Sequence, residues 1–274
     1  MTYTPLALDT PVESELAHLA LLRSAGIVRR SSMASSCTRS VQRMTLLGLK
    51  RRESSVEAIS TKLARALLGF SPDFSLFGTP ESWAMSDPIS MAYELHPFFE
   101  NLGIPYYVTG DVAASCHGEP RSTLDLDLVI EIEQNDIDLL SAALTEAGFY
   151  VPETNLENAI KGNEATLCVT HQTQCVKVDI TISKGLAFDC SKMQRRELVD
   201  DAFYVCSPED TILQKLRWGN ASRSEKQWRD VQGILRIQGD SLNLEYLTDW
   251  AGQLSLSEQL SKAFEDSSLE GDRV

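Results

Sequence analysis

Residues 106 to 133 read Y-Y-V-T-G-D-V-A-A-S-C-H-G-E-P-R-S-T-L-D-L-D-L-V-I-E-I-E, and this stretch constrains the fold more than any other. Tyr106 to Thr109 is a short β-prone run, Gly110 breaks it, and Val112 to Cys116 is small and helix-compatible, which predicts strand, tight turn, short helix. After the Gly118-Glu119-Pro120 turn, Leu124, Leu126 and Leu128 alternate with Asp125 and Asp127. A two-residue period puts the leucines on one face and both carboxylates on the other, about 7 Å apart.

Two acids that close on a half-buried strand repel each other and lose hydration unless a positive group sits between them. A divalent cation answers this economically. Mg²⁺ is commonly held by one or two carboxylates plus substrate phosphate oxygens, and a glycine turn at a helix N-terminus offers a phosphate cradle on the same side. The plain alternative for a bare Asp-x-Asp is a solvent-facing strand, and the Gly turn with Arg121 and Thr123 beside the acids weighs against it. A third acid, Asp179, lies on the polar face of Cys175 to Ser183, where Val176, Val178, Ile180 and Ile182 share the opposite face. Glu164 to Thr170 and this run form a predicted hairpin, across which Cys168 and Cys175 could face each other.

Gly110-Asp111, a spacer, then Asp125-Leu126-Asp127 with Arg121-Ser122-Thr123 leading into the acids resembles the DNA polymerase β-like nucleotidyltransferase superfamily, in particular its AbiEii-like and minimal branch. The resemblance implies an α/β (α+β) nucleotidyltransferase fold: a small mixed sheet carrying Asp125, Asp127 and Asp179 as catalytic and metal-binding acids, and a helical C-terminal part. It implies Mg²⁺ or Mn²⁺ as cofactor, NTP as substrate, and Gly110, Asp111, Arg121, Thr123, Lys215 and Asp230 as nucleotide-binding residues, Lys215 standing at the rim to contact phosphate. The implied reaction moves an NMP from an NTP to a hydroxyl of a tRNA, a protein or a small molecule, with a cognate toxin or antitoxin as a possible partner. The chain departs from the family at Asp111, where a second Gly or Ser is expected. An acid there would take the helix N-terminal donors and repel phosphate, so the alternative is a non-catalytic binding or regulatory protein that keeps the fold.

The organisation around this core follows composition. The chain of 274 residues is 43% hydrophobic and 23% charged, as expected of a globular protein. No apolar run approaches the roughly 20 residues that cross a bilayer, and no signal pattern opens the chain, so a cytoplasmic protein without membrane contact is expected. Residues 1–84 hold 10 Lys/Arg against 7 Asp/Glu, a net +3, and are rich in Ser, whereas residues 85–274 hold 15 against 32, a net −17. That segment is expected to be a disordered basic leader, with a nucleic-acid-binding arm as its functional rival. A transit peptide is a third reading, opposed by Asp9, Glu13 and Glu15. Ser86 or Asp87 followed by Pro88 opens a helix, which places the core at 85–206 and makes Met85 a candidate initiator. Ser207-Pro208-Glu209-Asp210 starts a helical part over 207–274. The six cysteines show no zinc spacing, and His117 is expected to pack rather than to ligate.

Overall fold

The computed structural model describes residues 10–70, 77–160, 166–222 and 224–267. Among them, seven strands form one mixed sheet: β1 (Tyr106–Thr109), β2 (Asp125–Ile130), β3 (Phe149–Tyr150), β4 (Thr166–His171), β5 (Val176–Ile182), β6 (Glu197–Val199) and β7 (Phe203–Val205), in the order β3-β4-β5-β2-β1-β7-β6. The central strand β2 runs antiparallel to β1 and parallel to β5, and β4 pairs antiparallel with β5. This is a mixed α/β fold, as the resemblance implies. Along β2 the alternation is realised: Leu126, Leu128 and Ile130 are buried, and Asp125 and Asp127 point to the half-open face. The β4–β5 register sets Cys168 opposite Asp179, not Cys175, and no disulfide joins any of the six cysteines.

Helix α5 (Pro88–Leu102) lies against the sheet through Ala92, Leu95 and Phe99. Its start is Asp87, whose Oδ1 accepts from the Ile89 and Ser90 amides at 3.0 and 3.1 Å, and Gly103 at φ 65° stops it. The C-terminal helices α10 (Pro208–Ser222), α11 (Glu225–Gln238), α12 (Leu244–Gln253) and α13 (Ser257–Ser267) build a second core around Leu213, Leu216, Ile234, Leu247 and Leu260. Ser207 caps α10, accepting from the Asp210 amide at 3.2 Å.

The expected disordered leader is corrected. Helices α1 (Val12–Ser24), α2 (Ile27–Lys50) and α3 (Val56–Leu68) are formed and packed. The buried face of α2 is Arg30, Ser31, Ala34, Ser35, Thr38, Gln42 and Leu46, small or polar at nearly every position. Several of these polar groups reach partners on neighbouring elements, while Gln42 Oε1 is buried without a hydrogen bond. Arg30 Nε donates to the Cys116 carbonyl at 2.8 Å, Ser35 Oγ donates to Asp87 Oδ2 at 2.9 Å, and Thr38 Oγ1 accepts from the Thr123 amide at 3.2 Å. Such a face has helical spacing but no apolar stripe, which is why serines and arginines suggested a solvated segment. Asp87 is also held by Arg39 at 2.8 Å, so the boundary expected at Met85 runs through a hydrogen-bonded junction between α2 and α5.

Candidate active site

Helix α6 (Gly110–His117) leaves the sheet directly from β1, and the turn requires glycine. Gly110 has φ +66°, and a Cβ there would fall 2.0 Å from Asp127 Oδ2 and 2.7 Å from its Cγ. The Asp127 carboxyl therefore lies against the Gly110 backbone. The register across three strands explains this closeness, for Asp127 pairs with Thr109 on β1 and with Asp179 on β5, while Asp125 pairs with Lys177. Sequence alternation thus brings all three predicted acids to one edge. Burial, then Asp125, Asp179 and Asp111, push the Asp127 carboxyl up to about 7, with Lys215 opposing. Lys177 Nζ donates to Asp179 Oδ2 at 2.6 Å, which leaves Asp179 Oδ1 buried without a hydrogen-bond partner.

On the other side of Gly110 stands a cluster of cations. Lys215 on α10 is 1% exposed, so the rim position expected for it is corrected. Its ammonium donates to Asp111 Oδ1 at 2.6 Å and to Asp230 Oδ2 at 2.7 Å. Arg121 clasps Asp230 through Nε and Nη2 at 2.9 and 2.8 Å, and its Nη2 is 2.7 Å from Asp111 Oδ1. Lys226 Nζ is 2.6 Å from Asp111 Oδ2. A buried lysine is tolerable only with such partners, and aligned carboxylates on two sides supply them. Burial works to raise the Asp111 carboxyl, and Lys215 and Arg121 outweigh it, holding it well below the usual carboxylate range. The expectation that Asp111 takes the α6 amides is likewise corrected, since its oxygens are engaged by side-chain cations.

Thr123 faces inward. Its hydroxyl donates to the Asp125 carbonyl at 3.4 Å, and its amide is tied to Thr38, which fixes the entry into β2. Two residues of the site were missed by sequence reasoning. Lys177 stood on the polar face of its strand with no sign of its partner, and Lys226 lies one helical turn before Asp230, a spacing that could have marked it. His117 is buried, its Nε2 donating to the Cys206 carbonyl at 2.7 Å, and it touches no acid of the site. A cavity of about 470 Å³ opens beside the cations, lined by Glu119, Arg121, Lys226, Arg229 and Asp230 among others. A larger one, about 870 Å³, lies at the far end of β2 and includes none of the predicted residues.

The residues fit a hard divalent cation in one respect: the donor set is all oxygen, and Asp179 Oδ1 is an unspent acceptor. Among the described residues, no three His, Cys, Asp or Glu side chains gather tightly enough to hold an ion by themselves. Binding by one or two carboxylates completed by substrate phosphates, the usual mode for Mg²⁺, needs no such triplet.

No family model matches the sequence, and no match is found among curated proteins. Among solved structures the chain is similar to an antigenic nucleotidyltransferase-like protein from Paracoccidioides brasiliensis, with 17% identity and a TM-score of 0.40, over 65% of this chain and 91% of that one. It is also similar to the Thermotoga maritima CCA-adding enzyme complexed with tRNA, with 13% identity and a TM-score of 0.31, over 62% of this chain and 52% of that one. At these identities and scores the likeness assigns no activity. No helix among the described residues is long and apolar enough to cross a membrane.

Proposed function

We propose that this chain is a divalent-metal-dependent nucleotidyltransferase that moves an NMP from an NTP to a hydroxyl acceptor. The observation that carries the reading is the seating of Asp127 against Gly110, with Asp179 beside it in register and Asp125 two residues before it. This puts an acid edge and a helix N-terminus within one side chain's length of each other. The motif order Gly110-Asp111, Asp125-Asp127, Lys215, Asp230 supports the AbiEii-like branch within that class, and with it a cognate toxin or antitoxin as partner.

Mg²⁺ or Mn²⁺, held by Asp125 and Asp127, would neutralise the triphosphate and lower the pKa of the attacking hydroxyl. The chain's own part is positioning and proton traffic. Lys177 holds one oxygen of Asp179, so the free Oδ1 is the acceptor for the hydroxyl proton. The amides at the start of α6 donate to phosphate oxygens, helped by the partial positive charge of the helix end. The hydroxyl oxygen forms the new P–O bond to the α-phosphorus, and pyrophosphate leaves with the electrons of the broken bond. The charge at Asp111, the ground for a non-catalytic protein, is met by Lys215, Arg121 and Lys226 within 2.7 Å and so does not tell against catalysis. Pyrophosphate release from each NTP with Mn²⁺ and a mixed RNA and protein extract tests the reading: it is expected in the native chain and lost in Asp127→Asn. Release that persists in Asp127→Asn overturns it.

A further inference from the structure

Three cations converge on the carboxylate of Asp111, and two of them do not need it. Arg121 is already clasped by Asp230 through two nitrogens, and Lys215 already has Asp230 Oδ2 at 2.7 Å. Lys226 reaches Asp111 from α11 with its side chain 56% exposed. Asp111 is thus a second anion laid onto a cation set that Asp230 alone can keep folded. It sits at the first turn of α6, whose amides it leaves untouched, and next to the cavity lined by Arg121, Lys226 and Arg229. A site with three converging cations, free helix-end amides and open volume recognises a polyanion.

We propose that Asp111 is a built-in counter-ion that competes with a polyphosphate for this site. Ligand phosphates take Lys215, Arg121 and Lys226 in exchange for the Asp111 carboxylate, which turns outward through its own side-chain torsions. The ligand class is a linear polyphosphate, the triphosphate tail of a nucleotide included. The exchange makes binding weak and selective for high charge: a single phosphate replaces Asp111 with little gain, whereas three linked phosphates outbid it. This deepens the transferase reading by naming what limits its nucleotide affinity, yet it concerns binding of an anion to cations and stands apart from the acid edge.

Calorimetric titration of inorganic tripolyphosphate, in EDTA and at low salt, separates the two claims. Asp111→Ser and the isosteric Asp111→Asn are expected to bind about tenfold or more tightly than the native chain. Lys226→Ala, an exposed position with little packing, is expected to bind several-fold more weakly, a check that does not depend on the folding of either Asp111 variant. Asp127→Asn is expected to keep or improve binding. Equal affinity in the native chain and the Asp111 variants, or in the native chain and Lys226→Ala, overturns the proposal. Should the Asp111 variants bind tighter while no NTP is turned over, the anion site stands and the transferase reading falls.

Discussion

At Gly110 one missing methyl group decides the geometry of the acid edge. A side chain there meets both a left-handed backbone and the Asp127 carboxyl, so Gly110→Ala is expected to cost about 2–4 kcal/mol, read as a lower urea midpoint with unchanged slope. An Ala variant within 0.5 kcal/mol of the native chain would mean that the turn relaxes freely. The crowding of Asp125, Asp127 and Asp179 makes a second prediction. Mn²⁺ with NTP is expected to raise the melting temperature of the native chain and not of Asp127→Asn, which by itself melts higher in EDTA because one buried charge is gone. The three acids were legible in the sequence because a strand's two-residue period is local. The partners of Lys215 were not, for Asp111 lies 104 residues away and nothing in the local pattern of α10 distinguishes a paired lysine from a solvated one.

At the scale of elements, helix ends were the most legible features and helix packing the least. Asp87-Pro88 and Ser207-Pro208 marked α5 and α10 because capping is a matter of adjacent residues. The buried face of α2 escaped because it is polar, and polar faces declare themselves only through partners on other elements. Asp87 is the joint between α2 and α5, and Asp87→Ala removes two capping bonds and the partner of Ser35 and Arg39. The expected loss is about 3 kcal/mol in urea unfolding, and a loss under 1 kcal/mol would show that α2 is loosely attached. At the end of α6, burial pushes His117 down to about 4. The unfolded chain, with an ordinary imidazole near 6.5, binds more protons between those values, so this contribution is whole above pH 6.5 and is lost as pH falls toward 4. Between pH 7 and 5 the native chain should lose about 2 kcal/mol more than His117→Gln, and parallel losses would place the proton elsewhere.

For the whole molecule, the basic N-terminal helices fold back on an acidic body instead of trailing from it. Arg30 reaches the end of α6, Arg23 Nε donates to the Arg236 carbonyl at 2.8 Å, and Leu19 and Leu22 pack on Ile237. A chain begun at Met85 would expose the α6 and α11 surfaces these residues cover, and it is expected to lose cooperative unfolding by circular dichroism; a soluble, cooperative 85–274 chain would contradict that packing. If the acid edge transfers a nucleotide, the α-phosphate of the NTP moves with it to the acceptor. The protein is incubated with Mg²⁺, an RNA and protein extract, and each NTP labelled at the α- or the γ-phosphorus. Label from the α-position on a macromolecule or small acceptor, none from the γ-position, and none with Asp127→Asn is the predicted result. Transfer from the γ-position, or α-label that survives Asp127→Asn, would contradict it.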